Sequence, residues 1–557
     1  MTHTSGYWFQ RWSTVAAFLL LTVLIVLPLL LIFRTAIDSD GTIDWLAPWH
    51  TITSSSLGSV MLNSLWLGAL VIVLTTLLAL PLAWIMARSA IGRWRWLDVI
   101  LLIPFMTPPY IGSMGWMLFM QKNGYMEQLL PASAAWTPAF FSLGGMVLIM
   151  SLHLFPFLYL ILRNTLLQIS GSTEEAAALH GGSPAYRFRR IILPLLLSSY
   201  VMGALLIFVK TIAEFGTPAT FGRRIGYYVM TSEIHTYISS WPIDFGKATA
   251  LASLLLSVCL VMWYIQSVLS SRYSYRLTGG KGSRQSGYRL GGWKGVLSWA
   301  YVIILLVLSI GIPYFSVITA SLLKLRGIGI AAGNWTLAHY AELLQPGSDS
   351  MQALINSFTL SLASSTIAVV IGTFLALKVD RSRRLSQKWI DLFSLMPNTV
   401  PGIVIVVGLI LFWNSSWMPV PLYNTYGMVV LTYVVLFLPY TVQYVKANYG
   451  QIDSILLQAG AMSGGRPLYV FRRILLPLLV PGIIAGWMMT FTISNRELVA
   501  SLLILPPSMQ TSATYIFAQF EQGAVSMGMA MAVVSVGITT ILLLILNALP
   551  ATGSKQP

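Results

Sequence analysis

A chain of 557 residues, 56% hydrophobic and only 9% charged, cannot have water as its main solvent, because soluble chains carry roughly 25% charged residues. The single cysteine, Cys259, excludes a disulfide within the chain and a thiolate metal cluster. It lies in an apolar run and reads as a small packing residue. The net charge of +16 would point to nucleic acid in a soluble protein, so what matters is where the charges fall.

Apolar runs of about 20 residues, enough to cross roughly 30 Å of hydrocarbon, recur near 13–33, 62–86, 97–120, 140–162, 194–214, 247–270, 295–323, 353–377, 389–413, 425–445, 477–505 and 523–548. They predict twelve spans. The first follows Gly6-Tyr7-Trp8-Phe9-Gln10-Arg11-Trp12, an aromatic and basic flank suited to the headgroup zone, and is too long for a signal-peptide core, so it reads as a retained helix. With the N-terminus placed inside, 24 of the 33 basic residues but only 6 of the 17 acidic ones fall on the inner side. That is the positive-inside pattern. The expectation is a multi-pass protein of a bacterial inner membrane with both termini cytoplasmic, whose basic excess reflects topology and anionic lipid rather than nucleic acid.

The chain repeats itself. At an offset of 293, Asn63-Ser64 matches Asn356-Ser357, Arg88-Ser89 matches Arg381-Ser382, Trp96 and Asp98 match Trp389 and Asp391, and Pro104 and Pro108 match Pro397 and Pro401. At an offset of 283, Pro156 matches Pro439, Gly181-Gly182 matches Gly464-Gly465, Arg189-Arg190-Ile191 matches Arg472-Arg473-Ile474, Pro194 matches Pro477, and Glu214 matches Glu497. The ten-residue change lies between about 120 and 156, across an outer loop, where insertions are tolerated. Six spans per copy is an even number, so the copies share one orientation and are parallel repeats, with a solute path expected between them. The expected fold is an all-α membrane protein of about twelve helices. It divides into a first repeat over 1–270, a Gly-, Ser- and base-rich cytoplasmic linker over 271–294, and a second repeat over 295–557.

Between spans four and five, on the basic side, residues 174–194 suggest two short helices. Glu174-Glu175-Ala176-Ala177-Ala178 favours the first, Gly181-Gly182 ends it, and Pro184 opens a second that runs into Pro194. Residues 457–477 repeat the spacing. Here the sequence resembles the permease subunits of binding-protein-dependent ABC importers with the type I fold, whose cytoplasmic signature is E-A-A, three residues, G, nine residues, then I-x-L-P. Glu175, Ala176, Ala177, Gly181, Ile191, Leu193 and Pro194 satisfy every position. In the second copy Ala459, Gly464, Ile474, Leu476 and Pro477 match, while Gln458 replaces the glutamate and Gly460 the second alanine. The resemblance implies that each loop is a coupling helix seated on an ATP-hydrolysing subunit, with two such subunits, a homodimer, inside and a periplasmic binding protein outside.

No G-x-x-x-x-G-K-[ST] loop is present, and Gly279-Gly280-Lys281-Gly282-Ser283 has the wrong spacing. ATP and magnesium would therefore be used by separate chains, and no cofactor is expected on this one. His153 and Cys259 stand alone in apolar runs, so neither a metal site nor a catalytic grouping is expected, and the chain reads as a transport subunit rather than an enzyme. Glu214 and Glu497, at equivalent places late in spans five and eleven, have bases nearby in Lys210 and Arg496. Buried charge in a membrane should face a wet cavity or a partner. The two glutamates read either as lining the outer end of the path or as paired groups at the outer headgroup level.

Fusion of two copies, with Glu214-Phe215-Gly216-Thr217-Pro218 and Arg496-Glu497-Leu498-Val499-Ala500-Ser501, looks most like the ferric-iron uptake branch of the resembled family. Branches for thiamine, polyamines, phosphonates such as aminoethylphosphonate, and sulfate share much of the pattern. An ion-coupled secondary carrier and a scaffold without transport are the readings from other classes.

Overall fold

In hydrocarbon a backbone satisfies its N–H and C=O groups only inside helices or closed barrels, and this chain uses helices. The computed structural model describes residues 2–39, 42–53, 57–169, 176–272, 292–379 and 385–548. Among the described residues, ten helices are long and apolar enough to cross a membrane, or up to twelve if each of two bent pairs counts as one span. The extended pairing includes Asp38–Ser39 with Thr42–Ile43 and a bridge between Leu323 and Trp335.

In the first repeat the spans are Trp12–Ile37, Leu57–Arg88, the bent pair Trp96–Met106 and Pro109–Leu129, then Leu143–Gln168, Ala185–Ala213 and Phe245–Leu269. In the second they are Trp293–Ser321, Asp349–Lys378, the bent pair Ser386–Asn398 and Gly402–Trp413, then Tyr426–Tyr449, Pro467–Ser494 and Val525–Leu542. The fourth span packs along the second and fifth, and the tenth along the eighth and eleventh.

Three predicted spans are not continuous helices. The third and ninth bend by 90° and 109°. Pro108 and Pro401 offer no N–H and disfavour helical geometry in the residue before them, and Thr107 is extended at ψ 133. The eleventh, expected to reach 505, ends at Ser494, and the chain restarts as a short helix at Val499–Ile504.

Four other prolines are taken up by a widened turn. Just before each, the helix widens by one residue, so that Leu27 N–H donates to the Thr22 carbonyl, Leu193 to Phe188, Ile312 to Val307 and Leu476 to Phe471. The residues that follow are Pro28, Pro194, Pro313 and Pro477. A proline ring clashes with the carbonyl four residues back, and the wider turn moves that carbonyl aside.

The compact units are not the sequence repeats. One comprises 1–51, 237–256 and 338–557, the other 52–236 and 257–337. Each therefore holds the opening span of one repeat with the main body of the other. Within the first unit, a Cβ on Gly408 would lie 2.7 Å from the Pro28 carbonyl oxygen; within the second, a Cβ on Gly115 would lie 2.7 Å from that of Pro313. Glycine lets the helices touch backbone to backbone, as small residues do at membrane interfaces. Residues 273–291 of the expected linker lie outside the described residues, and the packing units follow a different partition from the expected repeats.

Candidate functional site: two matching loops and two capped breaks

The loop after the fourth span is described from Ala176 onward; Glu175 lies outside the described residues. Ala176 to Leu179 are helical and end in a left-handed Gly181 at φ +79. Gly182 N–H donates to the Ala177 carbonyl at 2.8 Å and Gly181 N–H to the Ala178 carbonyl at 3.0 Å. These two bonds are the six-to-one and five-to-two pairs of a Schellman turn. A Cβ on Gly182 would sit 2.6 Å from the Ala177 oxygen, so both glycines are required. Ser183 Oγ then accepts from Tyr186 N–H at 3.2 Å, capping the helix that Pro184 opens. That helix carries Ile191, Leu193 and Pro194 through the widened turn into the fifth span.

The loop after the tenth span is built the same way. Asp453 accepts from Ile455 N–H at 3.0 Å and caps Ser454–Met462, which holds Gln458, Ala459 and Gly460. Gly464 is left-handed at φ +81, Gly465 N–H donates to the Gly460 carbonyl at 3.1 Å and Gly464 N–H to the Ala461 carbonyl at 3.1 Å. Pro467 opens the next helix, which carries Ile474, Leu476 and Pro477. Gly460 is where it departs from the first loop. A Cβ there would lie 2.5 Å from Ile474 Cδ1, so an alanine would require the Ile474 side chain to shift.

Each loop exposes apolar side chains at equivalent positions. Leu179 is 87% exposed and Met462 89%; Tyr186 is 56% exposed and Tyr469 60%. Motif spacing alone did not find Leu179 and Met462. The available signal was a large apolar residue recurring at the 283 offset just before the paired glycines.

Glu214 ends the fifth span and Glu497 follows the end of the eleventh. Glu214 Oε1 and Oε2 accept from Thr217 N–H at 3.0 and 3.1 Å, and Glu497 Oε1 accepts from Ala500 N–H at 3.1 Å. Both carboxylates cap the short helix that restarts after the break. Their backbone carbonyls are also engaged, by the Thr231 hydroxyl at 2.8 Å and the Ser501 hydroxyl at 2.9 Å. No ion pair joins Glu214 to Lys210 among the described residues.

The duplicated Asn-Ser pairs secure the same regions. Ser64 Oγ accepts from Met230 N–H at 2.8 Å and Asn63 Nδ2 donates to the Tyr228 carbonyl at 3.1 Å. Ser357 Oγ accepts from Ser512 N–H at 2.7 Å and Asn356 Nδ2 donates to the Gln510 carbonyl at 2.9 Å. Next to Glu214, the Phe215 ring lies 5.0 Å from His235. Burial, then the charge of Arg223, pushes that imidazole down to about 4, so it is uncharged at neutral pH. Among the described residues, no group of three or more His, Cys, Asp or Glu side chains could hold a metal ion.

Comparison with known proteins places these features. The chain is 26% identical to a putative ferric transport system permease of Haemophilus influenzae, over 88% of this chain and 77% of that protein. It is 25% identical to a ferric transport system permease of Actinobacillus pleuropneumoniae, over 87% and 70%. A putative 2-aminoethylphosphonate transport system permease of Salmonella typhi is 27% identical over 41% of this chain and 86% of its own length. Two stretches, 79–275 and 368–551, each match the same family, one in each repeat. The chain belongs to the family of binding-protein-dependent transport system inner membrane components, and carries the family's domain twice.

Proposed function

We propose that this chain is a two-copy permease of an ATP-driven importer of ferric iron, spanning a bacterial inner membrane with both termini in the cytoplasm. The observation that carries the reading is the pair of matching loops, each a Schellman-ended knob with a bare apolar tip. The same two positions are apolar and exposed in both loops, Leu179 with Tyr186 and Met462 with Tyr469, which supports a partner surface shared by the two. Two ATP-binding subunits, one under each knob, supply that partner, and ATP with magnesium is used there rather than on this chain. A periplasmic binding protein delivers the solute from the other side, and the path runs between the repeats. Glu214 and Glu497 are candidate gate residues, each fixed just after the helix of its span ends.

The ferric choice rests on two relatives that span both repeats and are named as ferric transport permeases. The phosphonate relative matches a stretch about the length of one repeat, and keeps an organophosphonate as the second reading.

The test is reconstitution of the chain with its ATPase and a binding protein in proteoliposomes. ATP-dependent uptake of ferric iron is expected, with no uptake driven by a proton or sodium gradient alone. Uptake of aminoethylphosphonate instead of iron would replace the substrate, and gradient-driven uptake without an ATPase would overturn the reading. In the same assay, Glu214→Gln with Glu497→Gln is expected to slow uptake while leaving both caps in place, since an amide oxygen still accepts. Unchanged uptake would remove both glutamates from the path.

A further inference from the structure

The two repeats share one more contact, which the loop motifs do not include. In the third span, Asp98 Oδ1 accepts from the Tyr159 hydroxyl at 2.7 Å and Oδ2 pairs with Arg163 Nη2 at 3.0 Å. In the ninth, Asp391 Oδ1 and Oδ2 pair with Lys446 Nζ at 2.6 and 2.7 Å. Asp98 and Asp391 are related by the 293 offset, Arg163 and Lys446 by the 283 offset. The ten-residue change therefore falls between the two partners, and the contact is present on both sides of it. The chemistry differs: arginine in one copy and lysine in the other, with Tyr159 in the first and Val442 in the second. What is common is a carboxylate facing a base at one place in the fold.

That place joins two functional features. Arg163 lies on the fourth span, five residues before its last residue, Gln168, from which the chain enters the first loop; Lys446 lies three residues before the end of the tenth span, Tyr449, ahead of the second. Asp98 and Asp391 lie on the first helices of the bent pairs, ten residues before the helix-breaking Pro108 and Pro401. Each ion pair is thus a short rigid tie between a helix that leads to a loop and a helix that ends in a break. The first pair is the more withdrawn, with side-chain exposures of 16% and 25%, and the second is partly exposed, at 38% and 30%; charge-assisted bonds are shorter and stronger than neutral ones.

We propose that Asp98–Arg163 and Asp391–Lys446 are positioning pairs that make the broken third and ninth spans follow the movement of the adjacent loops, and so tie ATP use to opening of the path. This rests on the function proposed above. Coupling of this kind needs an element whose arrangement both sites bias, and a bent span held at its loop-side end by one ion pair is such an element.

The experiment uses the full chain, its ATPase and the loaded binding protein in proteoliposomes, and reads the ATP hydrolysed per solute imported alongside the yield of assembled complex. Asp98→Asn and Lys446→Gln are expected to assemble normally and to raise that ratio about tenfold, within the range of typical coupling effects. Lys446→Arg should keep the ratio of the unaltered chain, and Tyr159→Phe, which leaves Arg163 in place, should raise it by no more than about threefold. An unchanged ratio in both Asp98→Asn and Lys446→Gln would overturn the proposal, as would a loss of complex yield at constant ratio, the outcome expected of purely structural pairs. Should the unaltered chain fail to bind any ATPase, the function reading fails instead.

Discussion

The loop after the fourth span and the loop after the tenth share a backbone and differ in surface. Both end in the same two-bond Schellman turn, with left-handed glycines at φ +79 and +81. They differ at one packing position, Ala177 against Gly460, and the cause is visible in the second loop, where Ile474 occupies the space a Cβ would need. Gly460 is therefore a packing adjustment, and its departure from the signature does not weaken the turn. Alanine to glycine costs about 1 kcal/mol of helix stability, which the closer contact with Ile474 and Val470 offsets in part. Duplicated units can diverge in sequence where a neighbour compensates, while positions with no compensation stay fixed.

The largest expected effect comes from breaking what the loops share. In Gly182→Val or Gly465→Val the new Cβ meets a backbone oxygen at 2.6 Å in either loop, a contact that no rotamer relieves. Such strain costs about 2–3 kcal/mol, and uptake should fall at least tenfold in each variant, with ATPase binding measured in parallel. A large loss in one variant and none in the other would mean that only one loop couples.

A smaller effect tests whether the two tips are equivalent. Leu179→Asp and Met462→Asp put a charge on side chains that the fold leaves almost fully exposed, so neither disturbs folding. Each should weaken ATPase binding by about tenfold, as loss of an apolar anchor does, and the double variant should abolish the complex. Unequal losses would locate the functional inequality at the tips.

Much of this was legible in the sequence. The spans followed from apolar length, the duplication from two fixed offsets, and the turns from paired glycines three residues ahead of a proline. The breaks in the third and ninth spans were not, although Pro108 and Pro401 had been matched as repeat markers. A proline in an apolar run is compatible with a widened turn, as at Pro28 and Pro313, or with a sharp bend, and hydropathy does not distinguish them. Helix capping by Glu214 and Glu497 was hidden for a related reason. A buried carboxylate attracts a charge-pairing interpretation, whereas its hydrogen-bond partners here include backbone N–H groups, which every sequence possesses. The regrouping of the opening spans was invisible because apolar helices carry no mark of which neighbour they choose; Gly115 and Gly408 record it only once their contacts are known.

The smallest expected effect bears most directly on the comparison. Gln458 takes the position of Glu175, and its side chain is exposed, so its replacement should leave the loop's structure intact. Exposed substitutions away from packing features stay within about 0.5 kcal/mol, which predicts that Gln458→Glu changes the stimulation of ATPase activity by less than about twofold. Glu175→Gln in the first loop should act as weakly if the shared turn and bare tip do the coupling. A many-fold gain from Gln458→Glu, mirrored by a loss from Glu175→Gln, would show instead that the carboxylate itself engages the partner. The two loops would then be equal in shape and unequal in chemistry, with the first loop dominant in coupling.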